Sequence, residues 1–345
     1  MLNHQCRQNI YDLATKSDDW KSILAESITD IQTLAHYIKV DLQKLVEDLG
    51  YNDIAATQFP LLVTKTFADR IEKNNLNDPL LLQVLPRMQE LEKHHSYTND
   101  PVGDKDARLS NYLLQKYHGR ALLLTHKSCS INCRFCFRKN MLYNMDSATT
   151  DELNNAIKQI AADSSIEEII LSGGEPLLLD DDCLQYLLDS IEQIEHIQRI
   201  RFHTRMAITV PQRVTTKLVN LLEQNIKQIV IITHCNHPNE IDSTVSNYFK
   251  KLTSSNITLL NQTVLLKNIN DNPKTLAELS NRLFKIDILP YYLHLLDKTE
   301  GTQHFHIEDA KAKKIWNQLQ VMLPGYLVPR LVRETAGENS KTVIC

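Results

Sequence analysis

Glycine is scarce in this chain, eight residues in 345, which argues against glycine-rich repeats and flexible linkers. No apolar run reaches the roughly eighteen residues that cross a bilayer, and the opening MLNHQCRQNIYDLATK lacks the basic-then-apolar order of a secretory signal. These absences point to the cytoplasm and away from a membrane. A basic excess is missing too: 38 Lys and Arg stand against 42 Asp and Glu, a formal charge of −4, so the electropositive footprint of general nucleic-acid binding is not there. Seven cysteines, an odd number with three in one tight group, do not suit an extracellular disulfide framework. Cys6, Cys183, Cys235 and Cys345 read as single thiols.

What is present is ordinary globular composition, 42% hydrophobic and 23% charged, in a chain long enough for one large α/β domain or a core with an appendage. DDWKSILAESITDIQTLAHYI and KVDLQKLVEDLG carry apolar residues at helical spacing and predict a helical N-terminal region. The polar stretch LEKHHSYTNDPVGDKDARLSN reads as a connecting loop. From about residue 119 short apolar runs alternate with amphipathic segments, the pattern of repeated βα units. Six strands are expected, at 121–126, 167–172, 198–204, 229–233, 257–263 and 288–294. Helices such as TTDELNNAIKQIAA, which opens on a Thr-x-x-Glu cap, and VPQRVTTKLVNLLEQN lie between them. Six such units curl into an open barrel whose chemistry is expected at the C-terminal ends of its strands.

The sharpest motif is CSINCRFC, which spaces Cys129, Cys133 and Cys136 directly after the first strand. Three thiolates so placed can hold three irons of a cubane cluster and leave the fourth open. Zinc competes on spacing alone, with His126 as the nearest fourth ligand. After the second strand, Ser172, Gly173, Gly174 and Glu175 combine glycines that allow close backbone approach with a carboxylate that attracts an ammonium group; alone, they equally describe a tight βα turn.

Together, the CxxxCxxC and LSGGEPLLL segments resemble the radical S-adenosylmethionine superfamily. The segments KYHGRALLLTHKSCSINCRFCFRKN, RFHTRMAITVPQRVT, THCNHPNEID, LLNQTVLL and PYYLHLLDKTEG run in the order found in lysine 2,3-aminomutases. ADRIEKNNLNDPLLLQVLP makes the chain most similar to the branch associated with (R)-β-lysylation of elongation factor P.

The resemblance implies an α/β fold: a partial (β/α)6 TIM-like barrel over 111–300, after an N-terminal helical region and connecting loop over 1–110. A C-terminal segment over 301–345 follows and carries the coenzyme lysine. It implies a 4Fe-4S cluster on Cys129, Cys133 and Cys136, and S-adenosylmethionine held by the open iron with Ser172, Gly173, Gly174, Glu175, Arg205, His234 and Gln262. Pyridoxal 5′-phosphate is expected as a Schiff base on Lys341, its phosphate held by Tyr117 and Arg120 with help from Lys116.

By the same resemblance Arg138 receives the substrate carboxylate, and Asp297 and Glu334 receive its ε-ammonium group. Two departures stand out. Glu334 replaces the aspartate of catabolic aminomutases, and Glu338, Asn339 and Ser340 stand where those enzymes are richer in glycine. The implied activity is an isomerisation, L-lysine to (R)-β-lysine, in which a 5′-deoxyadenosyl radical takes hydrogen from the β-carbon. Implied partners are an electron donor such as flavodoxin or ferredoxin, a lysyl-transferring ligase acting on elongation factor P, and further copies of the chain in a homo-oligomer. A catabolic or osmolyte-forming lysine 2,3-aminomutase is the alternative within enzymes, and a zinc-binding structural protein is the alternative outside them.

Overall fold

Short Ile-, Leu- and Val-rich runs separated by capped amphipathic segments set the architecture. The computed structural model describes residues 19–142, 148–253 and 256–345. Ten strands form one sheet in chain order: β1 (Arg108–Ser110), β2 (Leu113–Tyr117), β3 (Arg120–His126), β4 (Glu168–Gly173), β5 (Arg199–Thr204), β6 (Gln228–His234), β7 (Ile257–Val264), β8 (Leu289–His294), β9 (Arg330–Arg333) and β10 (Thr342–Val343). Strands β3 to β9 are parallel, while β1 and β2 at one edge and β10 at the other pair antiparallel.

Among the described residues five short helices precede the sheet: α1 (Asp19–Ala25), α2 (Ile31–Tyr37), α3 (Leu42–Glu47), α4 (Asp53–Gln58) and α5 (Lys65–Ala68). Then come α6 (Lys139–Leu142), α7 (Thr150–Ala162), α8 (Asp181–Glu192), α9 (Met206–Thr209), α10 (Thr216–Glu223), α11 (Ser243–Phe249), α12 (Pro273–Phe284) and α13 (Asp309–Met322).

The six expected strands are β3 to β8, and the crossovers between parallel neighbours carry the helices. Five of these starts are fixed by a side-chain cap. Thr149 caps α7 by accepting from the Glu152 backbone N–H while the Glu152 carboxylate accepts from Thr149 N, the reciprocal box read from the sequence. Asp180, Thr215, Asp242 and Asn272 cap α8, α10, α11 and α12 in the same sense, and Pro273 opens α12 where its missing N–H costs nothing. Strand β4 is buried along nearly its whole length, as a strand covered on both faces must be.

Four strands were not expected. β1, β2, β9 and β10 are two to five residues long, too short for a periodic signal, and extend the barrel sheet at both edges. The N-terminal helical region is also more broken than its periodicity suggests. Ile28 pairs with Val63 as an isolated bridge, and Asp30 restarts the helix by accepting from Thr33 N. Cys183, read as a single thiol, is disulfide-bonded; Cys6 lies outside the described residues.

The two ends of the sheet meet through side chains. Tyr117, ending β2, donates to Glu334 Oε1 at 2.5 Å just beyond β9, and a Cβ on Gly103 would lie 3.2 Å from Ala336 Cβ. The sheet is thereby curled into an open barrel.

Candidate active site

One cavity of about 440 Å³ occupies the barrel interior, within the range of roughly 300–1,000 Å³ usual for cofactor pockets. Every residue implied for the cluster, cofactors and substrate lines it: the three cysteines, Lys116, Tyr117, Arg120, Arg138, Ser172 to Glu175, Arg205, His234, Gln262, Asp297, Glu334 and Lys341. Strand β3 runs along the cavity, with Arg120 opening it and Cys129 just beyond its end, a span of about 20 Å of strand.

The cysteine loop is held from the N-terminal side. Asn132 N donates to Leu62 O at 3.0 Å and Arg134 N to Gln83 O at 2.9 Å. The fully buried Arg134 donates to both oxygens of Glu90, at 2.9 and 2.7 Å, and to Phe59 O at 2.6 Å. Thus the helical N-terminal region clamps the motif. Arg134→Met would leave the Glu90 carboxylate with the Arg87 backbone N–H at 3.0 Å and a single cation, Lys139 at 3.5 Å, and breaking such a buried pair costs about 3–5 kcal/mol. A fall of that size in the free energy of chemical denaturation is the expected result.

Burial, with repulsion among the three, pushes the Cys129 and Cys136 thiols up, Cys136 to about 11. The thiolate form therefore needs a cationic group held between them. Among the described residues no group of three His, Cys, Asp or Glu side chains is placed to hold a single metal ion. His126, the fourth ligand of the zinc reading, is not on the cavity wall, and its Nδ1 accepts from Ser128 N at 3.0 Å.

Beside the cysteines the Gly173–Gly174 turn approaches the loop backbone so closely that a Cβ on Gly174 would lie 2.2 Å from Ser128 O. The Glu175 carboxylate accepts from Leu177 N at 3.0 Å, Thr204 Oγ1 at 2.7 Å, and Arg205 N and Met206 N at 2.9 Å each. Its acceptor positions are filled by protein donors, so it joins the β4 and β5 turns.

Arg205 donates to Glu240 at 3.0 Å and Gln83 at 2.7 Å, and its other nitrogen lies 2.6 Å from Cys133 Sγ. His234 packs edge-on against Phe135 with Nε2 unpartnered, and burial with the Arg205 charge lowers it to about 3, a neutral imidazole.

At the other end Lys341 forms an ion pair with Glu334 and sits 6.0 Å over the Tyr292 ring. Burial alone would raise Glu334, but Lys341, Tyr117 and Lys116 together hold it below the usual range. Because the Tyr117 hydroxyl is spent on Glu334, Arg120, stacked 5.2 Å over the Tyr117 ring, is the freer anion donor of the two expected for phosphate. Sequence reasoning missed Asp104, Arg201, His203, Tyr292, His294 and Arg330. Five of these line the cavity, and Asp104 sits behind its wall, bonded to Arg138.

A model of the Radical SAM superfamily matches residues 123–279. L-lysine 2,3-aminomutase of Haemophilus influenzae is 43% identical over 329 residues, covering 95% of this chain and 96% of that protein. The chain belongs to the lysine 2,3-aminomutase family. Two other members extend the comparison, that of Escherichia coli at 41% over 97% of both chains, and that of Clostridium subterminale at 30% over 95% of this chain and 78% of its own. Membership makes the chain a radical S-adenosylmethionine isomerase, a class built on a 4Fe-4S cluster; lysine 2,3-aminomutases are pyridoxal phosphate-dependent. The thiol triad, the glycine cradle and the cation-lined far end of this aminomutase fit those groups. Among the described residues no helix is long and apolar enough to cross a membrane.

Proposed function

We propose that the chain converts L-lysine into (R)-β-lysine in the cytoplasm, as a homo-oligomer, for transfer to elongation factor P by a lysyl-transferring ligase. Electrons come from a flavodoxin- or ferredoxin-type donor. The observation that carries the reading is one cavity lined by Arg138 together with Asp297, Glu334 and Lys341. A guanidinium for a carboxylate and paired acids for an ammonium group are the complement of lysine, and the same acids repel glutamate.

Cys129, Cys133 and Cys136 would hold the cluster, which with S-adenosylmethionine would supply the radical, and Lys341 would hold the pyridoxal phosphate that would carry the migrating nitrogen. The protein's own residues bind and orient. Arg138 turns the substrate carboxylate toward Ser172, whose hydroxyl lies 3.3 Å from the guanidinium. The apolar faces of Leu122, Ile170 and Leu296 exclude water from the reacting carbons. Deleting the gene and weighing elongation factor P tests the destination of the product: an unchanged mass, in a strain that otherwise modifies it, contradicts that part of the reading and favours a catabolic role.

Asp297 gives a pH signature. Burial raises its carboxyl to about 7, Lys341 opposing and Glu334 reinforcing the shift. An ammonium group is received by the ionised form, so kcat/KM for lysine is expected to fall about tenfold per pH unit below 7 and level off above it. Asp297→Asn removes that limb. The stability contribution runs the other way, present at low pH and lost as the pH rises through about 7, because the folded value exceeds the unfolded one.

A further inference from the structure

The loop that reads as a polar connector contains a buried carboxylate. Asp104 is 1% exposed and lies between two cations: its Oδ2 accepts from Arg138 Nε at 2.8 Å, and its Oδ1 is 2.6 Å from Lys116 Nζ. Lys116 continues the row, donating to Val102 O at 2.8 Å and standing 3.6 Å from Glu334 Oε1. The row is therefore Arg138, Asp104, Lys116, Glu334, alternating in sign from the carboxylate receptor to the ammonium receptor. Its ends are braced from outside, Arg138 by Ser172 and Glu334 by Tyr117. The loop itself is pinned: Asp104 N donates to the Asp100 side chain at 2.8 Å, and Gly103 packs against Ala336, two residues from Glu334.

We propose that Asp104 and Lys116 are positioning residues that fix the separation between Arg138 and Glu334, so that the site selects its diamino acid by chain length, lysine over the one-carbon-shorter ornithine. This rests on the substrate reading above. A buried carboxylate shared by two cations resists displacement, because moving either cation leaves opposite charges unpaired in a low-dielectric interior. Neither residue touches the reacting carbons. Their effect is on the distance that a substrate must span.

The test titrates L-lysine and L-ornithine against the absorbance of bound pyridoxal phosphate, in the anaerobically reconstituted holoenzyme without S-adenosylmethionine or reductant. Wild type is expected to prefer lysine. Asp104→Asn keeps the shape and removes the charge that joins the two cations; the expected result is a lysine affinity at least tenfold weaker and a lysine-to-ornithine preference reduced about tenfold, with coenzyme and iron contents unchanged. Asp104→Glu keeps the charge but lengthens the bridge, and is expected to lower the preference while retaining lysine binding, so it decides the matter if the Asn variant does not fold. An unchanged preference in the variants, even with weaker binding of both amino acids, overturns the spacer. No response to lysine in wild type overturns the substrate reading itself, and the spacer with it.

Discussion

Lys341→Ala is expected to yield a folded, iron-containing protein that retains no pyridoxal phosphate after desalting and forms β-lysine at least about 10³-fold more slowly than wild type. Folding should survive because Lys341 lies outside the hydrophobic core. It precedes the two-residue edge strand β10, and residues 335–340 leading to it are half-buried or exposed. The Glu334 carboxylate released by the substitution keeps the Tyr117 hydroxyl at 2.5 Å and Lys116 at 3.6 Å, so no buried charge is stranded. Absorbance of the desalted protein and product analysis read both halves of the expectation. Undiminished coenzyme and turnover would mean that another amine carries the coenzyme.

Gly174→Ala should be comparably severe through geometry alone. The new methyl would lie 2.2 Å from Ser128 O and 2.7 Å from Lys127 O, both backbone atoms that cannot swing aside as a flexible side chain would. These carbonyls lead into Cys129, and Gly174 N is itself bonded to His126 O at 2.6 Å. Relief requires the cysteine loop and the β4 turn to separate, which displaces a cluster ligand and the cofactor cradle together. Iron content below half of wild type and a loss of S-adenosylmethionine affinity of about 100-fold or more are expected, with overpacking costing about 1–3 kcal/mol of stability. Gly325→Ala, with nothing within 4 Å of its added Cβ, is the neutral control. Iron and affinity at wild-type level in the Gly174 variant would show that the turn opens freely.

The parts legible in the sequence are those repeated or locally signalled. Strands β3 to β7 are each followed by a helix whose cap is written in Thr, Asp or Asn, while β8 is mostly half-buried and Glu308 before α13 makes no side-chain cap; the motif residues fall at the ends of β3 to β8 as barrel topology requires. Strand β9 has no such frame. Its four residues, RLVR, are ordered by pairing with β8, and β10 in turn by pairing with β9, so neither carries a periodicity of its own. Resemblance supplied the site residues, and the cavity collects them, with the Glu175 carboxylate turned to protein donors. Glu175 was read as a ligand because a carboxylate after two glycines attracts an ammonium group; the four donors that fill it come from residues 177 and 204–206, and no spacing in the sequence announces them.

Asp104 was invisible for the opposite reason. A single aspartate in a polar loop is ordinarily solvated, and only the fold brings Arg138 and Lys116 to either side of it. The N-terminal region shows the same limit: its helical composition was plain, but not that residues 59–62, 83 and 90 would supply the groups that hold the cysteine loop.

The most direct measurement of the central claim is made without oxygen. The reconstituted protein is assayed for iron, sulfide and bound pyridoxal phosphate, then given L-lysine, S-adenosylmethionine and a reductant. Formation of β-lysine, abolished by Cys133→Ala together with the loss of bound iron, is the predicted result. Iron and coenzyme bound with lysine untouched would contradict the assigned substrate, and a protein that takes up neither after reconstitution would contradict the account of the site as a whole.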